Sequence, residues 1–335
     1  MSELAIDTKP KIGFVGVGWI GKNRMEAIAN KGIAEVAWIQ DADPQLCNEA
    51  INLAPNARIL DIEDKWEETE LDGIVIATPS ALHASQSIKA LNQGKAVFCQ
   101  KPLGRNLQET TEVVNAAKVN DKLLSVDFSY RYTNAVQALK KIIDSGEVGD
   151  IYAVDLVFHN AYGPDKTWYF NRELSGGGCL IDLGVHLVDL FLWISKYPEI
   201  SSLHSSLFSK GKLLAADAKA VEDYVSAQFV FNEQISVQLS CSWNLPAGCN
   251  AVIKADFYGT KGGVSFHNIN GSFYDFQSER YVGTSKEVVS SGPDDWGGKA
   301  AVAWAESLAK GNKFNEEALQ YIEVAKVLEA IYQKV

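Results

Sequence analysis

Asp182 and His186 stand four residues apart, the spacing that sets two side chains on one face of a helix, and Asp189 follows a turn later. Gly176, Gly177 and Gly178 run just ahead of them. An imidazole titrates nearest neutrality and can take the proton of an alcohol as hydride leaves its carbon, while Asp182 can orient substrate and ring or bias the imidazole electrostatically. The same spacing also fits a plain helix-surface pair behind a glycine-rich loop. Near the other end, Gly16-Val17-Gly18-Trp19-Ile20-Gly21 directly follows the apolar run Ile12 to Val15. Gly16 permits a tight turn, Gly18 lets backbone approach a diphosphate, and Gly21 allows close helix-strand packing. The helix that begins there offers N–H groups and a positive dipole end to an anion. Together the two patches fit hydride transfer with a dinucleotide.

Asp41 lies twenty residues beyond Gly21, at the end of the second apolar run. A carboxylate there accepts hydrogen bonds from the adenosine ribose and repels a 2′-phosphate, which favours NAD and leaves NADP open. Its alternative use is to cap, with Asp43, a helix starting at Pro44. Lys101-Pro102 follows the apolar run Ala96 to Cys99, where parallel strands present their carboxyl ends to ligands. An ammonium there can hold a substrate oxygen and stabilise charge as its proton departs, although such a lysine can equally be a solvated loop residue.

The elements that would position these groups come in two grammars. Up to about Val126, short apolar runs (Ile12-Val15, Val36-Ile39, Ile74-Ala77, Ala96-Cys99, Leu123-Val126) alternate with amphipathic segments (Ile20-Asn30, Pro44-Leu53, Ala81-Gln93, Leu107-Asn120), which predicts βαβ units around a doubly wound parallel sheet. After a helix over Ala135-Asp144, period-two runs take over: Val225, Ala227, Phe229 and Phe231, then Ile235, Val237, Leu239, Cys241 and Trp243. These predict an α+β domain on a large, mostly antiparallel open sheet, closed by a helix within Glu316 to Tyr332. The expected division is 1–128 and 129–335. Tyr224, Val230 and Phe257 read as apolar residues on the sheet's second face, which predicts a homodimer or homotetramer through it.

A formal net charge of -11 lacks the basic surface that nucleic acid or anionic lipid requires. No apolar stretch is expected to reach the length of a membrane span, and Met1 to Pro10 lacks the pattern of a secretion signal, so a cytoplasmic location is expected. Five cysteines, odd in number and without a Cys-x-x-Cys pair, argue against a disulfide framework and against zinc; no metal is expected. Cys179 lies near the glycine run, but nothing marks a base for its thiol.

The chain resembles the Gfo/Idh/MocA family of NAD(P)-dependent oxidoreductases over nearly its whole length. The resemblance rests on Gly16 to Gly21, Ala77-Thr78-Pro79-Ser80 with His83, Gln100-Lys101-Pro102, Tyr130-Arg131-Tyr132, Gly146-Glu147-Val148-Gly149, and Gly176-Gly177-Gly178 leading to Asp182, His186 and Asp189. It implies an N-terminal Rossmann domain and Lys101, Asp182 and His186 as the catalytic set. It implies cofactor contacts at Gly16, Gly18, Trp19, Ile20, Gly21, Asp41, Thr78, Pro79, His83 and Gln100. Substrate contacts are expected at Lys101, Asp182 and His186 with Arg131, Tyr162, Trp168 and Arg172, the substrate being a sugar, inositol or related polyol. The family usually has Glu where this chain has Gln100, which removes a charge that would favour protonated Lys101. An NAD-using glycosidase on the same fold and a non-catalytic NAD-binding regulator are the competing expectations.

Overall fold

The computed structural model describes residues 9–62, 69–215 and 218–333, which form two compact units. In the first, β1 (Lys11–Val15), β2 (Glu35–Gln40), β3 (Arg58–Ile59), β4 (Gly73–Ile76), β5 (Ala96–Cys99) and β6 (Leu124–Val126) pair in parallel in the order β3-β2-β1-β4-β5-β6. β4 and β5 are buried at every residue, as befits strands covered on both faces by crossover helices. Those helices are α1 (Trp19–Lys31), α2 (Pro44–Ala50), α3 (Ser80–Asn92) and α4 (Leu107–Val119). The order reverses beside β1, so the loops leaving β1 and β4 flank a switch point, where this class of sheet binds ligands. β3 has two residues and no apolar run to announce it.

In the second unit, β7 (Ile151–Asn160) leads, after α5 (Asn134–Asp144), to a nine-stranded sheet. α6 (Arg172–Ser175) and α7 (Val185–Ile194) precede β8 (Ile200–Ser209), β9 (Lys212–Leu213), β10 (Tyr224–Phe231), β11 (Ile235–Ser242), β12 (Ala251–Gly259), β13 (Gly263–Asn268), β14 (Phe276–Val282) and β15 (Ser285–Ser290). Their order is β15-β14-β13-β12-β7-β11-β10-β8-β9, antiparallel except where β7 meets β11. Val225, Ala227, Phe229 and Phe231 alternate inward as their spacing predicts, with Val154, Leu156 and Phe158 of β7 on the same side as α7. Asn232 and Glu233 turn the β10-β11 hairpin with positive φ (47° and 57°), a pair of conformations that tight hairpins require.

Two expectations are corrected here. Phe257 is fully buried and shares its side with Ala255 and Ile253, so it does not lie on the second face; that face carries Ser226, Gln228, Gln238 and Ser240 between half-buried Tyr224 and Val230. It is more polar than the pattern suggested. The helical run Arg172–Ile194 is long and apolar enough, by length and composition, to cross a membrane, contrary to the expectation that no stretch reaches that length. Nearly all of its apolar part is buried within the protein, so its character is that of a core helix.

The chain then returns. Gly297–Tyr321, with α8 (Lys299–Lys310), belongs to the first unit, and α9 (Gln320–Gln333) belongs from Ile322 onward to the second. Trp304 of α8 packs on Phe98 of β5 at 5.8 Å between ring centres, and a Cβ on Gly73 would lie 2.8 Å from the Trp304 ring. An expected single division at 128/129 made no provision for this return, because an amphipathic helix does not state which sheet it covers.

Candidate active site

In the first unit, the turn after β1 holds three glycines for two different reasons. Gly16 has φ +89°, and a Cβ there would lie 2.5 Å from the Ala77 carbonyl oxygen, while a Cβ on Gly21 would overlap the Gly16 carbonyl. Both are demanded by the protein's own packing. Gly18 is not: a Cβ there meets no protein atom within 4 Å. A glycine is needed at that position only if something outside the protein approaches the backbone closely, as a dinucleotide diphosphate does. Gly18 is also the N-cap of α1, with no side-chain cap and no acid in the first turn, which leaves the helix end suited to an anion. Trp19 projects outward, 64 % exposed, and Ile20 is half-buried beside it.

Asp41 follows β2 and accepts the Val17 N–H at 2.7 Å and the Asp43 N–H at 3.0 Å, one on each carboxylate oxygen. The capping of α2 falls to Asp43, which accepts the Gln45 N–H. Asp41 therefore ties the glycine turn to the end of β2, and its remaining lone pairs suit ribose hydroxyls. The residues fit a dinucleotide.

Thr78 and Pro79 lie between β4 and α3, with the Thr78 hydroxyl donating to Gln86 Oε1 at 2.7 Å and Pro79 serving as N-cap. His83, expected beside the cofactor, is corrected: it is 1 % exposed, and its nitrogens meet the carbonyls of Pro102 (Nδ1, 2.7 Å) and Thr78 (Nε2, 2.6 Å). It links the Thr78 loop to the segment after β5. Burial pushes its pKa down, outweighing the two carbonyls. Lys101, half-buried at the carboxyl edge of the sheet, is joined to Pro102 by a cis peptide.

Gln100 is also placed differently from expectation. Its side-chain amide donates to Asp127 Oδ2, which also accepts Arg24 Nε at 2.6 Å, and all three side chains are buried. A carboxylate is thus present next to position 100, supplied by Asp127 and paired with Arg24. An acid at position 100 would set two carboxylates together in the core; an amide avoids that repulsion.

In the second unit, the three glycines are all packing requirements. Gly176 has φ +87° and ends α6, a Cβ on Gly177 would strike the Tyr332 hydroxyl, and one on Gly178 the Glu222 carbonyl. The buried Glu222 Oε1 accepts the N–H groups of Gly178 (2.8 Å) and Leu180 (3.0 Å) and the Tyr332 hydroxyl (2.8 Å). Burial raises its pKa against the pull of those donors. This acid caps the turn that launches the helix.

Leu180–Gly184 is a π-helical turn leading into α7, so Asp182 stands on a widened turn of the kind often found at functional sites. Its Oδ2 accepts the Trp243 Nε1–H at 3.1 Å. His186, 9 % exposed, sets its ring edge-on to Tyr130 at 4.9 Å, and Tyr130 stacks on Trp296 at 5.2 Å. Burial first, then the charge of Asp182, pushes the phenols of Tyr130 and Tyr169 well above the ordinary tyrosine range. Asp182 and His186 thus share an aromatic, largely dry wall, which strengthens any charge interaction with a reacting hydroxyl. Asp189 points elsewhere, accepting Arg131 through both oxygens at 2.8 and 2.5 Å; burial raises its pKa while Arg131 lowers it.

The expected substrate residues divide. Arg131 pairs with Asp189 and donates to the Tyr197 hydroxyl (3.0 Å), and Arg172 donates to the Ala218 carbonyl (3.1 Å) over the Tyr332 ring, so each has a partner within the protein. Tyr162 is 51 % exposed and packs against Phe273. Trp168 stacks on Tyr169 at 3.8 Å, and Tyr169 meets Trp243 edge-on at 6.2 Å, so this chain of rings leads to Asp182. Trp243, Tyr169 and Glu222 were missed. A buried tryptophan must find an acceptor for its N–H, and that need is the signal Trp243 offered. Among the described residues, no group of three His, Cys, Asp or Glu could hold a metal ion.

Residues 10–128 match the oxidoreductase family with an NAD-binding Rossmann fold, and residues 136–265 match the Gfo/Idh/MocA C-terminal domain. This chain belongs to the Gfo/Idh/MocA family. It is an oxidoreductase with an NAD-binding Rossmann domain. Among family relatives, levoglucosan dehydrogenase of Pseudarthrobacter phenanthrenivorans is 25 % identical over 76 % of this chain and 73 % of its own. Inositol 2-dehydrogenase 1 of Mycolicibacterium vanbaalenii is 28 % identical over 92 % and 93 %. The structure of a levoglucosan dehydrogenase complexed with NADH and levoglucosan matches in fold with a TM-score of 0.81, at 21 % identity over 98 % of this chain and 97 % of that one.

Proposed function

We propose that this family member oxidises a secondary hydroxyl of a sugar, inositol or related polyol, with Lys101, Asp182 and His186 as its catalytic set. Gly16, Gly18, Gly21 and the α1 N-terminus hold the diphosphate, Asp41 the adenosine ribose, and Trp19, Ile20, Thr78 and Pro79 the cofactor's flanks. NAD, when bound, accepts the hydride. Lys101 holds the reacting oxygen and stabilises its developing charge. His186 takes the hydroxyl proton, and Asp182 orients substrate and ring from its hydrogen bond with Trp243. Trp168 and Tyr162 lie on the loop that would flank the sugar.

The observation that carries this is Gly18, the one glycine of its turn whose missing side chain the protein itself does not explain. The polyol class draws support from relatives named for levoglucosan and inositol. The carboxylate of Asp41 favours NAD over NADP. A cytoplasmic location and a homodimer or homotetramer through the second sheet complete the proposal, the latter supported by half-buried Val230 on that face; fractionation and light scattering test them. The function is tested by a polyol, sugar and sugar-phosphate panel with a chromogenic glycoside added, run separately with NAD and NADP, following cofactor reduction and aglycone release. Reduction with a polyol or sugar and NAD supports it. Release of an aglycone without net reduction, or no reduction with any member, overturns it.

A further inference from the structure

A cavity lies beside Trp243, the hydrogen-bond partner of Asp182, within the second unit. It measures about 850 Å³, is walled by Trp243, Phe170 and Tyr224 and carries Asp223, Lys210 and Asn244 among its polar groups. That volume lies in the range of about 300–1,000 Å³ typical of small-molecule sites. The cavity is held by backbone ties: Asp223 Oδ2 accepts the Lys210 N–H at 2.8 Å, and its carbonyl accepts the Trp243 N–H at 2.8 Å. Trp243 belongs to both places, since it lines the cavity and donates its indole N–H to Asp182. Phe170 meets that ring edge-on at 5.7 Å.

We infer that this cavity binds the second, non-reacting sugar ring of a glycoside, so that the substrate is a disaccharide or larger saccharide rather than a free monosaccharide. The inference rests on the proposed function and narrows its substrate class. Aromatic rings offer flat apolar faces to the C–H face of a pyranose, and a carboxylate, an amide and an ammonium exchange hydrogen bonds with its hydroxyls. A phosphate or diphosphate is disfavoured: one lysine is offset by Asp223 in the same lining, and the chain carries a formal net charge of -11. A neutral ring matches this balance. The reacting ring then lies against Asp182 and its neighbour against Phe170 and Tyr224.

Glucose is compared with cellobiose, maltose and trehalose, using wild type, Phe170→Ala and Ala220→Trp; Ala220 is exposed on the cavity lining, so a large ring there fills the space. Calorimetric titration reads binding without turnover, and NADH formation reads kcat/KM. At least one disaccharide is expected to exceed glucose in kcat/KM by about tenfold. Ala220→Trp is expected to abolish its calorimetric binding and remove that advantage, with glucose turnover changed less than about twofold. The inference is overturned if no disaccharide binds, or if Ala220→Trp weakens glucose and disaccharide alike. Binding of a disaccharide to wild type but not to Ala220→Trp, with no sugar reducing NAD, keeps the cavity assignment and removes the proposed oxidation instead. Glucose oxidation with no disaccharide bound does the reverse.

Discussion

Trp243 donates its indole N–H to Asp182 Oδ2 at 3.1 Å, joining a buried strand end to the widened turn ahead of His186. Trp243 is 3 % exposed, so its N–H has no water to turn to and Asp182 is held by a donor that cannot rearrange cheaply. Replacing it as Trp243→Phe keeps an aromatic ring and removes the donor. The expected result is a fall of about tenfold in kcat/KM with NADH affinity unchanged, read by steady-state kinetics and by fluorescence titration. Unaltered kcat/KM would mean that the hydrogen bond does not orient Asp182.

His83 offers a test in pH. Burial holds its folded-state pKa below the ordinary imidazole range, so between the two values the unfolded chain binds a proton that the folded chain refuses. Stability from this residue is therefore complete above the unfolded value of about 6.5 and is lost as pH falls through the lower folded one. His83→Gln is expected to lower Tm at neutral pH, because the rigid ring whose one N–H serves a loop carbonyl is replaced by a flexible amide, and to flatten the decline of Tm on the acid side. Parallel Tm profiles for the two proteins between neutrality and mild acid would contradict this.

The core arrangement of Arg24, Asp127 and Gln100 predicts a compensating pair. Gln100→Glu alone puts a second carboxylate against Asp127 and is expected to cost about 1–3 kcal/mol in denaturant unfolding. Gln100→Glu with Asp127→Asn returns one acid and one amide in exchanged positions, and is expected to recover most of that loss. If the two changes simply add, the amide at position 100 is not there to spare Asp127.

Much of the first unit was legible because βαβ grammar is local: apolar runs at Ile12, Val36, Ile74 and Ala96 and the glycine turn all sit within short stretches of sequence. What stayed hidden depends on partners distant in sequence. The pairing of Arg131 with Asp189 and of Arg172 with the Ala218 carbonyl joins residues 58 and 46 apart, which no local pattern announces. Gln100 looks like a lost charge until Asp127, twenty-seven residues later, supplies one beside it. The three glycines before Asp182 were read as part of a site, yet each is set by contacts to Arg105, Tyr332 or Glu222. His83 carried a chemical residue type and a loop position, and both ring nitrogens turn out to face backbone carbonyls.

The chemistry itself is tested most directly by measuring NADH formation and NADH affinity side by side for wild type, Lys101→Met and His186→Ala with the best substrate of the sugar panel. Loss of the Lys101 ammonium or the His186 imidazole, in the roles proposed for them, is expected to cut kcat by about 10²–10⁴-fold while NADH affinity stays within about threefold of wild type. Turnover at the wild-type rate in either variant would contradict the assignment of proton transfer to these two side chains.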